Sequence, residues 1–500
     1  MVLAMSQPIY LSADIRSIEA AARDSMPPLM QRAGLAAAGL ARRLAGGDGQ
    51  DILVLAGPGN NGGDAFEAAV HLREARFRVH LVCPSGTARL PADAAAAAAR
   101  WQAAGGEVLA AIPQGPRWSL AIDGLFGIGL RRAPEAPYAG LISAFNALAC
   151  PRLALDIPSG LDSDSGRVQG IAVRATHTLS FIACKPGLLT LEGPDHCGVL
   201  EVADLGLAVK TLLPPGGWIC SPQLFSAALK PRARNFHKGL SGSVGVLGGD
   251  DGMCGAVLLA ARAAARLGAG RVYTGLLDRH APRYDPVAPE LMLRAPDALL
   301  GLDLDALVIG PGMGNSERAE ALLIAGLSED IPVVLDADAL NLVAANPDLA
   351  GVCLARAARN AETLITPHPA EAARLLACAT AEVQDDRLSA ARRLRDKLGA
   401  HVVLKGAGSV LAARDGHWFI NTTGNPGLSS AGTGDVLAGM LGALLGQGLS
   451  AESSMVLGVH LHGAAADALA AQGDGPVGIL AGELPLAARR LWNAWLQSAA

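Results

Sequence analysis

Short apolar runs that end in Gly or Pro recur along this chain, separated by Ala- and Leu-rich stretches with helical spacing. Before residue 161 the runs are "DILVLAGPG" (51–59), "RVHLVCPSG" (78–86), "SLAIDGLFG" (119–127) and "RLALDIPSG" (152–160). Four to six apolar residues bounded by turn signals and alternating with helical segments predict parallel strands of an α/β sheet. A second series follows: "SGSVGVLGG" (241–249), "GRVYTGL" (270–276), "DALVIGPGMG" (305–314), "IPVVLDADAL" (331–340), "ETLITPHP" (362–369) and "HVVLKGAG" (401–408). Both halves therefore read as layered α/β/α domains. Between them, "KTLLPPGGWICSPQLFSAALKPRAR" (210–234) has Pro-Pro-Gly-Gly and little periodicity, which places the boundary within 211–232 and gives domains of 1–222 and 223–500. The two series do not align as a repeat. "AAAAAARWQAAGG" (94–106) and the Gly-rich run from Val436 to Ser450 read as helices, the second of them a core helix.

Composition narrows the class. With 500 residues, 51% hydrophobic and 4% aromatic, the chain can bury a large core and form two to four domains. Its formal charge is 41 − 46 = −5, and no basic block tracks a nucleic-acid backbone, so no nucleic-acid partner is expected. Eight cysteines form no C-x-x-C pair and no zinc-like grouping with histidine, as befits a reducing compartment. The opening stretch lacks a basic segment followed by a long apolar one, and no uninterrupted apolar span is long enough for a membrane helix. A cytoplasmic protein that forms a homo-oligomer and binds small molecules is the expectation.

Open α/β sheets bind ligands beyond the carboxyl ends of their strands, and the chemistry-bearing residues sit there. In the first half they are "GPGNNGGD" (57–64), "DGLFGIGLRRA" (123–133) and "DIPSGLDSDSG" (156–166). Gly and Asn supply backbone amides and tolerate positive φ, as a pyrophosphate cradle requires. Asn61, Asp123 and Ser159 add oxygen donors suited to a hard cation of low charge density. In the second half, "GNPGLSSAGTGDVLAGMLGALLGQG" (424–448) sets Asp435 between glycines and a buried helix. Glycine amides at a helix N-terminus seat a phosphate. Asp435 is then either a general base aimed at a substrate proton or an N-cap. Lys405 in "KGAGS" offers a cation beside a turn of amides, against the plainer reading of a solvated strand end. His368, between two prolines, is either a substrate contact or a structural histidine. Asp336 orients a metal or caps the next helix. His460 and His462 fall on different faces of a helix and are rejected as a metal pair. Lys185 reads as a surface lysine, with an acid–base role as the alternative.

These motifs resemble a family. "GPGNNGGDAFEAAVHL", "DGLFGIGL", "DIPSGLDSDSG" and "FIACKPGLL" are similar to the NAD(P)H-hydrate epimerase domain. "HKGLSGSVGVLGGDDGMCGA", "VIGPGMG", "LDADALN", "LITPHPAEAARLL", "VVLKGAGSVL" and "NTTGNPGLSSAGTGDVLAG" are similar to the ADP-dependent NAD(P)H-hydrate dehydratase, a ribokinase-like domain. The resemblance covers nearly the whole chain, in the order of the fused bacterial repair enzymes. It departs at Asp250 and Asp251, where the family has small residues, and at "SSAGTGD" in place of the commoner "ATGGTGD". The resemblance implies a Rossmann-like N-terminal domain that interconverts the R and S hydrates of NADH and NADPH. It implies a second domain that dehydrates the S form while consuming ADP, with Mg2+. Carried over by position, Asn60, Asn61, Gly62, Gly63, Asp64, the loop Gly127, Ile128, Gly129, Leu130, Arg131, Arg132, Ala133, and Asp156 would line the epimerase site, with Asp156 also catalytic. Asn61, Asp123 and Ser159 would hold K+. Ala256, Gly312, His368 and Asp435 would contact the hydrate of the dehydratase, and Lys405, Gly406, Ala407, Gly408, Ser409 and Gly434 the nucleotide, with Asp435 as base.

Two rivals stand beside this reading. Ribokinase-like small-molecule kinases share "AGTGD", but "GNPG" before the loop and the N-terminal partner domain separate this chain from vitamin kinases. The first half could instead be a non-catalytic cofactor sensor, which the intact Asp64, Asp123 and Asp156 argue against.

Overall fold

All ten apolar runs become strands. The computed structural model describes residues 7–499 except 230 and 236, so the first six residues of the opening stretch lie outside it. Contacts divide the chain into two compact units, Gln7–Gly217 and Trp218 onward, against the expected junction at 222/223.

In the first unit the central sheet has the strands β1 (Asp51–Ala56), β2 (Arg78–Val82), β3 (Val108–Leu109), β4 (Trp118–Gly124), β5 (Arg152–Leu155), β6 (His177–Phe181) and β7 (Val199–Ala203). They lie in the order β3-β2-β1-β4-β5-β6-β7, every neighbour parallel. Side chains alternate between faces, as the period of a strand requires. Ile52, Val54, Leu120 and Ile122 join Phe66 and Trp101 in one core, whereas Leu53, Leu55 and Ala121 join Ile142 and Phe145 in the other. Both faces are covered by helices, which is why the runs read as continuously apolar.

The second unit contains β8 (Ser243–Gly248), β9 (Arg271–Leu276), β10 (Met292–Arg294), β11 (Ala306–Ile309), β12 (Val333–Leu335), β13 (Thr363–Ile365), β14 (His401–Leu404), β15 (Val410–Ala412) and β16 (Trp418–Ile420). Their order is β10-β9-β8-β11-β12-β13-β14-β15-β16, and the short strand Gly217–Ile219 lies beyond β16. The sheet is parallel through β14, and β15 and β16 add an antiparallel hairpin. That hairpin departs from an all-parallel reading. Its turn, around Asp415-Gly416 with Gly416 at φ +103°, carries the Asp-Gly hairpin signal.

The glycine-rich helix Thr433–Gly446 is buried along most of its length, as expected of a core helix. A Cβ on Gly439 would fall 2.0 Å from the carbonyl oxygen of Ala260 in the helix Cys254–Arg266. On Gly442 it would fall 2.3 Å from Val308 and on Gly446 2.7 Å from Val244, both in the sheet. Each helical glycine costs about 1 kcal/mol of helix propensity, and here the missing side chains let the helix lie directly on its neighbours. The close packing fixes the helix end that carries Asp435.

In both sheets the strand order reverses at one point, between β1 and β4 and again between β8 and β11. Such a switch opens a crevice beyond the strand ends, where ligands bind.

Candidate active sites

At the first switch point, β1 ends at Ala56 and the helix Asn60–Glu74 begins after "GPG". A Cβ on Gly57 would lie 1.7 Å from the Leu125 carbonyl oxygen, and one on Gly62 2.0 Å from that of Gly57. The two loops therefore meet backbone to backbone. Gly57→Ala is expected to destabilise the first unit by about 1–3 kcal/mol, the cost of overpacking. The check is a denaturant titration; an unchanged midpoint would show that the loops can part freely.

Above this contact lies a cavity of about 640 Å³. Asn60, Asn61 and Asp64 line it from the helix, residues 127–132 from the loop after β4, and Asp156 from the end of β5. Arg16 and Glu19, from the helix Ser12–Ala21, complete the wall. The structure thus brings together most of the residues the resemblance assigned to the first site. Gly62 and Gly63 lie behind the wall: a Cβ on Gly63 would meet Met30 at 2.6 Å. Ala133 is exposed just past the lining loop.

Asp156 holds φ at +65°, a conformation uncommon for a non-glycine residue and concentrated at functional sites. Its carboxylate accepts a hydrogen bond from the ammonium of Lys185, which also donates to Ser180 Oγ at 2.9 Å and to the Phe181 carbonyl at 2.7 Å. Lys185 is 0% exposed. The reading of a surface lysine is corrected by this ion pair beneath the cavity. A lysine in a loop gives no periodic signal of its burial; only the carboxylate and carbonyl partners, distant in sequence, make that burial tolerable.

Asp123, fully buried, accepts Ser159 Oγ–H at 2.7 Å, Ser159 N–H at 2.8 Å and Leu125 N–H at 3.1 Å. Burial nonetheless pushes its carboxyl up to about 6, the hydrogen bonds from Ser159 and Leu125 opposing. Asn61, whose backbone carbonyl packs 2.9 Å from where a Cβ on Gly124 would lie, has a buried side-chain amide with no hydrogen-bond partner at either Oδ1 or Nδ2. An orphaned amide oxygen and an enclosed carboxylate fit a hard monovalent cation, which would satisfy both. Burial first, and then the charge of Asp156, raise the carboxyls of Glu19 and Asp64, Asp64 well above the usual range.

At the second switch point the Gly249 and Asp250 amides donate to the Pro311 and Gly312 carbonyls at 2.9 and 2.7 Å. Gly312 has φ +60°, and a Cβ there would fall 3.2 Å from that of Ala256, so these two residues are neighbours. The departure at Asp250 sits against the next glycine turn, its Oδ2 2.9 Å from where a Gly314 Cβ would be.

Lys405, following β14, reaches across to Asp336, which follows β12, with Nζ to Oδ1 at 2.8 Å; Glu371 Oε2 lies 3.9 Å away. Burial alone would lower its ammonium, but the charges of Asp336, Glu371 and Asp435 outweigh that and raise it. The plain reading of Lys405 as a solvated end does not fit this pairing. A Cβ on Gly434 would lie 3.3 Å from Lys405 Nζ and 3.7 Å from Asp336 Oδ2, so the lysine, the aspartate and the start of the glycine-rich helix form one cluster. Asp435 is not the N-cap: that position is Gly432, and no side chain caps the helix. Burial, and then repulsion from Asp336, push the Asp435 carboxyl up to about 6, with Lys405 opposing.

His368 caps the helix Pro369–Leu376. Its Nδ1 accepts from the Ala370 and Glu371 amides at 3.1 and 3.4 Å, and its own amide donates to Glu371 Oε2 at 2.7 Å. This capping box fixes the ring and leaves Nε2 on its far side, 3.3 Å from Glu371 Oε1. His462 contacts the Thr433 carbonyl through Nε2 at 3.0 Å, and burial pushes it down to about 4. His460 packs against Phe225 and Trp495 at 5.5 and 5.8 Å between ring centroids. The two histidines thus serve different neighbours.

Ser409 folds back on Gly406, accepting from its amide at 3.3 Å and donating to its carbonyl at 3.1 Å, so that Gly406 and Ala407 stand exposed at the loop tip. Beneath them the buried Arg387 donates to the Leu404 and Lys405 carbonyls at 3.2 and 3.1 Å. Asp467 accepts from Gly424 N–H at 2.8 Å and Asn425 Nδ2–H at 3.0 Å, holding "GNPG" in place. Sequence reasoning missed Glu19, Glu371, Arg387 and Asp467. Each sits on a helix whose pattern explains it as an ordinary polar face.

Residues 27–187 match the family described as YjeF-related protein N-terminus, and residues 244–484 match the family described as NAD(P)H-hydrate dehydratase. The bifunctional NAD(P)H-hydrate repair enzyme Nnr of Escherichia coli strain K12 is 40% identical over 97% of this chain and 94% of its own length. That of Coxiella burnetii is 40% identical over 95% and 97% respectively. A crystal structure of the ADP/ATP-dependent NAD(P)H-hydrate dehydratase from Bacillus subtilis, co-crystallized with ATP/Mg2+, is 30% identical, covering 55% of this chain and 98% of that one with a TM-score of 0.49.

Proposed function

The chain belongs to the family of bifunctional NAD(P)H-hydrate repair enzymes, and from that premise we propose which of its residues do the work. The activity is the repair of hydrated NADH and NADPH, with an epimerase in the first unit and a dehydratase in the second. The observation that carries the assignment of residues is that each switch point holds its own polar cluster, one around Asp156 and Lys185, the other around Asp435, Lys405 and Asp336.

In the dehydratase, the amides at the start of the helix Thr433–Gly446 and the loop 405–409 seat the diphosphate of ADP. Lys405 balances its charge, and Ala256, Gly312 and His368 bound the space for the nicotinamide ring. Asp435 takes the proton from the ring hydroxyl as that oxygen bonds to the β-phosphorus and AMP departs. Loss of phosphate with a neighbouring ring proton then restores the double bond, since phosphate leaves far more readily than hydroxide. Asp336 and Asp338 carry hard oxygen donors of the kind a nucleotide-bound Mg2+ takes, and Mg2+ would neutralise phosphate charge.

In the epimerase, the wall formed by Asn60, Asn61, Asp64 and residues 127–132 holds the hydrate, and Asp156 faces its reacting carbon. K+ held by Asn61, Asp123 and Ser159 would supply positive charge beside the phosphates of the substrate. The repair assay is recovery of reduced-nicotinamide absorbance from a mixed R/S hydrate with ADP, with ATP, or with neither. Recovery to completion with ADP, faster in potassium than in a bulky ammonium salt, is expected. Faster turnover on ATP would overturn the choice of ADP, and recovery stopping at the S half would overturn the epimerase assignment.

A further inference from the structure

Of the carboxylates that the strand-end segments place on the cavity wall, Asp64 and Asp156, Asp156 is the one in contact with a buried ammonium. Inverting a carbon that bears both a hydroxyl and the ring nitrogen by opening the ring calls for two proton-exchanging groups, one to take the hydroxyl proton and one to protonate the nitrogen. A second group enters the cavity from outside the sheet. The helix Ser12–Ala21 buries Ile15 and Ile18 in the core and turns Arg16 and Glu19 into the cavity. It is pinned at its start, where Ser12 donates to Asp164 through its amide at 2.7 Å and its hydroxyl at 2.6 Å. Arg16 ties the same face to the lining loop by donating to the Ile128 carbonyl at 3.2 Å. Glu19 also borders an adjoining cavity of about 510 Å³. Part of Glu19 faces solvent, so it can exchange protons with water between turnovers even though its carboxyl lines the cavity; Asp64, on the helix Asn60–Glu74, is less open.

Resting on the epimerase reading of the first unit, we propose that Glu19 is a catalytic residue of the epimerisation, acting with Asp156 in the same cavity. Asp156 takes the proton of the ring hydroxyl as the carbon–nitrogen bond breaks and a carbonyl forms at the former hydroxyl carbon. Glu19 gives its proton to the ring nitrogen that receives the bond's electron pair. Rotation of the opened carbonyl presents its other face; the nitrogen adds back, returning its proton to Glu19, while Asp156 returns its own to the oxygen. Nothing is gained or lost but the configuration. Burial and the nearby Asp156 raise the Glu19 carboxyl, in the direction a proton donor requires.

The test uses the full chain, whose dehydratase consumes the S epimer as an internal control. With excess ADP, Glu19→Gln should consume the S epimer at the parent rate, yet turn over the R epimer at least tenfold more slowly, through kcat with KM little changed. Glu19→Asp should recover part of the loss. An R-epimer rate equal to the parent's, a loss confined to KM, or equal defects in the Gln and Asp variants would each overturn the proposal. If the parent chain itself consumes R hydrate no faster than the uncatalysed reaction, it is the epimerase reading beneath the proposal that fails.

Discussion

Asp435→Asn should lower dehydration of the S hydrate by about a hundredfold or more, the scale for removing a general base, while the protein still folds and binds nucleotide. Amide and carboxylate are nearly isosteric, and no cap is lost, because Gly432 holds the N-cap position. The parent enzyme should also show the titration of this group. A base acts only when ionised, and burial with repulsion from Asp336 pushes this carboxyl up to about 6. The rate should therefore be full above that value and fall as pH drops through it. A variant that turns over at the parent rate, or a parent whose rate is flat from pH 7 to 5, would remove Asp435 from the chemistry.

Lys185→Met should cost the first unit about 3–5 kcal/mol, the range for breaking a buried ion pair by deleting one partner. The methionine fills the volume but leaves the Asp156 carboxylate, whose side chain is 13% exposed, without its counter-charge. Three hydrogen bonds, to Asp156, Ser180 and Phe181, are lost with the ammonium. Adding Asp156→Asn should restore part of the stability by removing the stranded charge, although not the epimerase activity. Hydrogen exchange of the β1 and β4 amides across a urea series reads the first unit. Equal midpoints for parent and Lys185→Met would mean that the pair contributes nothing net.

How much of this was legible beforehand follows from what each signal depends on. The ten strands written as short, mainly apolar runs beside turn residues were readable because a strand buried on both faces needs no partner to declare itself. The strands His177–Phe181 and Trp418–Ile420 were not: the first runs on through Ile182, Ala183 and Cys184 and the second through Asn421, Thr422 and Thr423, with no Gly or Pro at the strand end. Of the site, the loops after the strands were readable, since glycines, asparagines and aspartates cluster where chain must turn close to a ligand. The sequence could not choose between Asp435 as base and as cap; where the helix begins decided it. Nor could it bury Lys185, which needed Asp156, 29 positions away, brought beneath the same cavity.

By itself, then, the sequence determined two α/β units, the strand ends as the places of chemistry, and the residue types found there. Those follow from local patterning, in which neighbours along the chain are neighbours in space. The tertiary structure alone decided which of those residues meet. It set Lys405 against Asp336 across 69 positions, put Glu19 of a separate helix on the same cavity wall as the strand-end loops, and raised the carboxyls of Asp123 and Asp435 to about 6. Burial and charge–charge distance cause those shifts, and both are properties of the folded chain that no stretch of sequence carries.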